Sequence, residues 1–282
     1  MSSYLSGALQ GAFTVWLVLV CLVGGFAGAS RRRPRPGWHR EVLFVSGFYG
    51  LYSGLRLLSP QHNWALPIAN AHRLLGWERF LHLDIEAGFN RWFMSLPADI
   101  PRLAQDWYAQ AHLWGTLGVL VWLWRYRPER YSHWRNVLGL TSLVALLGYA
   151  FWPASPPWIA IPGMVGGLSG VDLHLAVLNA AMPSLHSAWA DWVGLAMFSA
   201  CRRPLARALW VLYPVWTAVV IIGTANHYVL DAVCGLALLA AAHISVERLE
   251  RAVSARRRSA AVTGAGTEEA AAVPREPARR AA

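Results

Sequence analysis

Two short motifs put titratable side chains at the start of apolar runs: Met182-Pro183-Ser184-Leu185-His186-Ser187 and Asn226-His227-Tyr228-Val229-Leu230-Asp231. An ionisable group at membrane depth is costly, so each motif is a functional candidate. His227 and Asp231 are spaced i, i+4 and would share one face of a helix. A carboxylate in that position can accept the imidazole Nδ1–H, fix the tautomer and aim Nε2 outward. It also stabilises the positive charge that develops if Nε2 attacks phosphorus. Histidine is an established covalent nucleophile. In the first motif, Pro183 and Ser184 suit the beginning of a helix, Pro in the first turn and Ser as a cap. A helix start presents N–H groups and partial positive charge to a phosphate. His186, within that turn, can protonate a leaving oxygen. Plainer alternatives stand beside these. His227 and Asp231 can be a polar pair joining helices, and His186 a surface histidine after a capped start.

The elements that must carry these residues are apolar. The 282-residue chain is 56% hydrophobic and only 14% charged, with 16 Trp, a composition unlike that of a soluble domain. Several stretches approach the roughly 20 residues that cross a hydrocarbon core. The sequence predicts spans over 9–29, 41–59, 104–124, 136–153, 184–201, 206–223 and 227–247. The expectation is an all-α, polytopic membrane helix bundle, with about six helices in its core and one further N-terminal transmembrane helix. Three regions follow. Residues 1–40 hold the first helix and a basic cytoplasmic loop, 41–250 the catalytic domain, and 251–282 a disordered basic tail. The first run lacks a basic stretch before it, so a retained helix is expected rather than a cleaved signal.

The net charge is +10 and every basic residue is Arg. The arginines cluster after the first, third, fifth and seventh spans, the pattern of topology determinants rather than of a nucleic-acid surface. The positive-inside rule places those four clusters and the C-terminus in the cytoplasm. His186 and His227 then open their spans on the same, outer side, in a multi-pass protein of the cell membrane. The outer segment 61–103, with Trp64, Trp77 and Trp92 and the acids Glu78, Asp84 and Glu86, reads as amphipathic helices on the membrane surface with solvated charges. The outer segment 154–182 reads as an irregular loop. Cys21, Cys201 and Cys234 show no spacing for a disulfide framework or a zinc site. No HExxH pattern or carboxylate cluster calls for a catalytic metal, and no cofactor is expected.

Together, Pro-Ser-x-His and His-Tyr-x-x-Asp resemble the type 2 phosphatidic acid phosphatase (PAP2) superfamily over roughly residues 40–247. The superfamily also holds lipid phosphotransferases and vanadium haloperoxidases. The resemblance implies that His227 is the nucleophile, that Asp231 assists it and that His186 is the acid. The chain departs from the phosphatases of that family. It has no Lys for their Lys-x6-Arg-Pro motif, and its Arg127-Pro128 and Arg203-Pro204 fall on the cytoplasmic side. Val220 and Ile221 stand where those phosphatases carry Ser-Arg. The chain is more similar to the branch of inositol phosphorylceramide and sphingomyelin synthases, which also lacks the lysine motif.

A phosphate still needs partners. Arg56, near the outer end of the second span, offers a guanidinium for bidentate recognition or else snorkels to the interface. Tyr108 and His112, another i, i+4 pair near the outer end of the third span, can bond the headgroup or join helices. Ser184, Ser187 and Tyr228 complete the candidate phosphate-binding set. The leading expectation is phosphoryl transfer on a phospholipid or polyprenyl-phosphate type of substrate drawn from the membrane, to water or to an alcohol. No nucleic-acid partner is expected and no protein partner is predictable. The rival is a transporter or lipid-binding protein using an intramembrane His/Asp relay.

Overall fold

Proline marks where the long helices begin. It lacks an N–H, and its fixed φ fits the first helical position. In the computed structural model, residues 37–57, 65–166 and 180–271 are described, with backbone alone at 49, 51–57, 257 and 260–271. The helices are α1 (Trp38–Leu57), α2 (Ala65–Phe80), α3 (Glu86–Met94), α4 (Asp99–Tyr126), α5 (Pro128–Phe151), α6 (Pro157–Ala160), α7 (Leu185–Ala200), α8 (Pro204–Gly223) and α9 (Val229–Ala271). Pro128 and Pro204 open α5 and α8 directly after the short Arg-containing connections. Among the described residues there is no strand, and one isolated bridge pairs Ala154 with Ala180. The described residues are all-helical, as expected.

Among the described residues, two helices, over Pro204–Gly223 and Val229–Arg256, are long and apolar enough to cross a membrane. The expected spans at 41–59, 104–124, 136–153 and 184–201 coincide with α1, α4, α5 and α7. Those four are helical but less uniformly apolar, and α7 has only 16 residues. The expected span at 9–29 lies outside the described residues. The chain divides into two compact units, Met1–Ala242 and His243–Ala282. Helix α9 runs through Ala271, where a disordered tail was expected from 251. The Ala and Arg that make this stretch polar and low in complexity are also strong helix formers.

Helices α4, α5, α7 and α8 pack around one another and carry the buried side chains of the core. Polar side chains bind this packing at fixed points. Trp189 Nε1 on α7 donates to Ser142 Oγ on α5 at 3.0 Å, and Trp192 Nε1 donates to the Trp134 carbonyl at 2.8 Å. Tyr213 on α8 donates its hydroxyl to the Ala111 carbonyl on α4 at 3.0 Å. Small residues allow the close approaches. A Cβ at Gly194 would lie 3.0 Å from the Trp210 carbonyl oxygen and 3.1 Å from the Pro214 ring. Large apolar side chains point outward from several of these helices: Trp114 and Val121 on α4, Leu147 and Phe151 on α5, Leu195 on α7, and Leu212 and Val215 on α8.

The 61–103 segment corrects one expectation. Helices α2 and α3 do form, but their acids are not solvated: Glu78 is 0% and Glu86 is 1% exposed. The reason lies in helical spacing. Asn70, Ala71, Leu74, Leu75 and Glu78 recur on one stripe of α2, and Glu86, Asn90 and Phe93 on one stripe of α3. Each stripe is turned inward. Ala71, Leu74 and Leu75 join Ala154, Ala160, Ala181 and Tyr228 in a common apolar cluster. Phe93 packs with Ala104 and Val220. The α2–α3 layer is therefore a wall against the end of α8 and the start of α9.

Candidate active site

The first motif folds as its residues dictate. Ser184 has extended backbone at the N-cap of α7, and its Oγ accepts the Ser187 N–H at 3.2 Å. Tyr149 on α5 donates its hydroxyl to the Pro183 carbonyl at 2.9 Å, tying the approach to the helix. The second motif follows the end of α8. Asn226 and His227 both donate their backbone N–H to the Ile221 carbonyl, at 3.0 and 3.1 Å. The tight turn runs through Ala225, which is left-handed at φ 56°. Such a conformation is uncommon without glycine. The Ala225 carbonyl accepts the Trp158 N–H at 3.2 Å, and the Asn226 side chain donates to Thr224 Oγ1 at 2.8 Å.

The two motifs are joined directly. Ser184 donates its backbone N–H to the Asp231 carbonyl at 3.0 Å. Gly235, one turn beyond Asp231, makes this approach feasible, because a Cβ there would collide with the Ser184 carbonyl oxygen and lie 3.3 Å from Ser187 Cβ. The side chains then line up. His227 Nδ1 is 3.2 Å from Asp231 Oδ2, and His227 Nε2 is 3.1 Å from His186 Nδ1. With the carboxylate accepting the Nδ1–H of His227, Nε2 carries the lone pair and His186 Nδ1–H is the donor to it. His227 is 3% and Asp231 0% exposed, while His186 is half-buried.

Helix α4 brings two further candidates to the same place. The Tyr108 ring stacks on the His186 imidazole with centroids 4.1 Å apart and lies 6.2 Å from that of His227. His112 meets His186 edge-on at 4.4 Å, contacts Trp189 at 5.6 Å, and places its Nδ1 3.1 Å from the Tyr108 carbonyl. The remaining candidates have structural partners. Ser184 is 0% exposed with its Oγ used as the cap, and Ser187 is 7% exposed against Gly235. Tyr228 is 0% exposed and donates its hydroxyl to the Ser155 carbonyl at 3.0 Å, which fixes the loop after α5. Burial and that bond make Tyr228 a scaffold contact rather than a substrate contact. Arg56 lies on the last turn of α1, and its side chain is outside the described residues.

The sequence reading missed what holds the start of α9. The helix begins at Val229, two residues after His227. The N–H of Val229 is accepted by Glu86 Oε1 at 3.0 Å, and that of Leu230 by Glu78 Oε1 at 2.7 Å. Asn90, 1% exposed, donates to the carbonyls of Gly223 and Val165, both at 2.8 Å, and accepts the Val165 N–H at 3.0 Å. Asn70 donates to the Pro153 carbonyl at 2.9 Å. The signal for all four was the inward stripe on α2 and α3. Glu78 is held protonated, its pKa raised to about 9, chiefly by burial and further by the nearby carboxyls of Glu86 and Asp231, against the lowering effect of the Leu230 N–H.

A chain His186–His227–Asp231 with a capped helix start beside it has the parts for attack on phosphorus by a buried imidazole. Searches among curated proteins and among solved structures find no match to the chain. The sequence model of one family, the PAP2 superfamily, matches residues 72–245, a stretch that runs from α2 into α9 and contains both motifs. The chain belongs to the PAP2 superfamily.

Proposed function

We propose that the protein is a multi-pass membrane enzyme that transfers a phosphoryl group from a lipid phosphate through a phospho-histidine, at the outer face of the cell membrane. The observation that carries this reading is the alignment of His186, His227 and Asp231 at 3.1 and 3.2 Å, with their two motifs pinned by the Ser184–Asp231 backbone bond. The outward apolar side chains of α4, α5, α7 and α8 support a lipid environment. The distribution of Arg clusters supports the sidedness.

In the reaction, Asp231 holds His227 in the tautomer that presents Nε2 as nucleophile. Nε2 attacks phosphorus in line with the leaving oxygen, and a phosphorus–nitrogen bond forms as the phosphorus–oxygen bond breaks. His186 gives the leaving oxygen its proton. At rest the His227 lone pair is engaged by His186, so the phosphoryl group enters between the two imidazoles and parts them. The stack on Tyr108 and the edge contact with His112 define the surface along which His186 moves. The N–H groups at the start of α7 and the guanidinium of Arg56 hold the phosphoryl oxygens. Water or an alcohol then attacks the phospho-histidine, with His186 as base. Hydrolysis and transfer use the same machinery. The absence of Lys from the chain and Val220-Ile221 in place of Ser-Arg favour the phosphotransferase branch that includes inositol phosphorylceramide synthases.

The test uses the purified, detergent-solubilised protein with a panel of phospholipids and polyprenyl phosphates, with and without inositol-, ceramide- or diacylglycerol-type acceptors. Free phosphate and new lipid products are followed beside a His227→Ala variant. Phosphate release that disappears in the variant identifies a phosphatase, and a new phosphate ester of the acceptor that disappears identifies a transferase. Equal behaviour of parent and variant on every donor would refute the proposal.

A further inference from the structure

A helix start leaves its first N–H groups without intrahelical partners, and a Ser, Thr, Asp or Asn at the N-cap ordinarily takes one of them. Helix α9 has no such residue: Tyr228 precedes Val229, and its hydroxyl is committed to Ser155. His227 stands before the helix, so helical hydrogen bonding alone does not fix its distance to Asp231. The next bond of the ladder, from the Ala232 N–H to the Tyr228 carbonyl, is long at 3.3 Å. The Asp231 carboxyl meets the Tyr228 N–H within the turn, and the first two N–H groups of the helix itself are taken by residues more than 140 positions away in sequence. Glu86 on α3 accepts the Val229 N–H, and Glu78 on α2 accepts the Leu230 N–H. Both carboxyls are at most 1% exposed.

We propose that Glu78 and Glu86 are positioning residues for the nucleophile: by accepting the first two N–H groups of α9 they set the turn that carries Asp231 beneath His227. This assignment rests on the phosphoryl-transfer reading. The two carboxyls act through the backbone and reach neither substrate nor imidazole. Acidic side chains are also the ones favoured at the positive end of a helix. The two share the task unequally. Glu78 Oε2 is buried without a hydrogen-bond partner among the described residues, which suits a protonated oxygen better than a charged one. The groups facing Glu78 are Glu86 from α3 and, from the α9 side, Asp231 and Tyr228. A neutral Glu78 keeps the charge of this cluster low enough for Asp231 to remain the anion that His227 needs.

The experiment measures kcat and KM of the solubilised full chain on dioleoyl phosphatidic acid and on undecaprenyl phosphate in mixed micelles, taking whichever is turned over faster. The variants are Glu78→Ala, Glu86→Ala, Glu78→Gln and His227→Ala. Either alanine should lower kcat about ten- to a hundredfold, by freeing the turn that orients the nucleophile, while KM stays within about threefold. Glu78→Gln keeps an acceptor for the Leu230 N–H and should restore kcat relative to Glu78→Ala. It should also remove the fall in kcat expected of the parent above about pH 9, where Glu78 ionises beside Asp231. A scaffold role would move neither the alkaline limb nor the kcat-to-KM ratio of the variants. Parental kcat in both alanine variants, with His227→Ala inactive, would overturn this assignment alone. So would an alkaline limb unchanged in a folded Glu78→Gln protein. Absence of turnover by the parent on both lipids, with and without an inositol- or diacylglycerol-type acceptor, or turnover undiminished in His227→Ala, would overturn the phosphoryl-transfer reading and this assignment with it.

Discussion

Gly235→Ala is a one-methyl change that should separate catalysis from stability. The added Cβ would fall inside contact distance of the Ser184 carbonyl oxygen. That oxygen is backbone, in the N-cap that opens α7, and cannot rotate away. A carbon and a carbonyl oxygen settle at about 3.3 Å or more, so α7 and α9 must part by on the order of 1 Å. The Ser184–Asp231 bond, now 3.0 Å, and the His186–His227 contact, now 3.1 Å, both lie across that seam. A displacement of that size at a reacting centre costs roughly a hundredfold in rate. Stability should change far less. Overpacking costs about 1–3 kcal/mol, and replacing a helical glycine by alanine returns about 1 kcal/mol. The expected result is a large loss of kcat with a melting temperature within a few degrees of the parent. Gly139→Ala on α5 is the control: its nearest neighbour is Phe48 Cε2 at 3.8 Å, an ordinary contact, so turnover should hold and stability rise slightly. Turnover of Gly235→Ala within twofold of the parent would show that the seam does not set the histidine geometry.

Four further outcomes follow from the same contacts. Asp231→Asn keeps the shape but removes the negative charge and can turn an amide N–H towards Nδ1, which favours the wrong tautomer of His227, so kcat should fall roughly 10³- to 10⁴-fold without loss of fold by circular dichroism. His186→Ala should be severe on alkyl phosphates but mild on an aryl phosphate whose leaving group needs no proton, whereas His227→Ala should be severe on both; comparison of the two substrate series checks this. Asn90→Leu leaves the Gly223 and Val165 carbonyls and the Val165 N–H without their buried partner, which should cost roughly 3 kcal/mol, seen as a lowered thermal midpoint. Glu78 binds its proton more tightly folded, at about 9, than unfolded, near the ordinary carboxyl value of 4.5. Its contribution to stability is therefore full below about pH 4.5 and is lost as pH rises towards 9. The thermal midpoint of the parent should fall across that window more than that of Glu78→Gln.

The parts of the site legible in the sequence are those whose partners lie within one helical turn. Ser184 as a cap, His186 in the turn after it, and the i, i+4 pairing of His227 with Asp231 are local facts, and the structure places them at 3.2 Å or less. Tyr108 and His112 were legible as a pair on one face of α4, though not that this face meets His186. The acids of α2 and α3 read as solvated from their charge alone and as buried from their spacing. Ala71, Leu74, Leu75 and Glu78 lie on one stripe, and an acid on an apolar stripe is a buried acid in need of a donor. The complementary gap was also present. Val229 and Leu230 begin a helix, yet Tyr228 cannot cap it, and Asn226 is spent on Thr224. Two buried carboxyls without local donors and two helix N–H groups without local acceptors, about 145 residues apart, are each a local violation. Both are removed by the same long-range contact, and that contact sits directly beneath the pair of residues on which the chemistry depends. Strain in local rules of this kind is expected where a fold is shaped to hold a site. It gives a reason to look at α2 and α3, rather than only at the two motifs, for what controls the nucleophile.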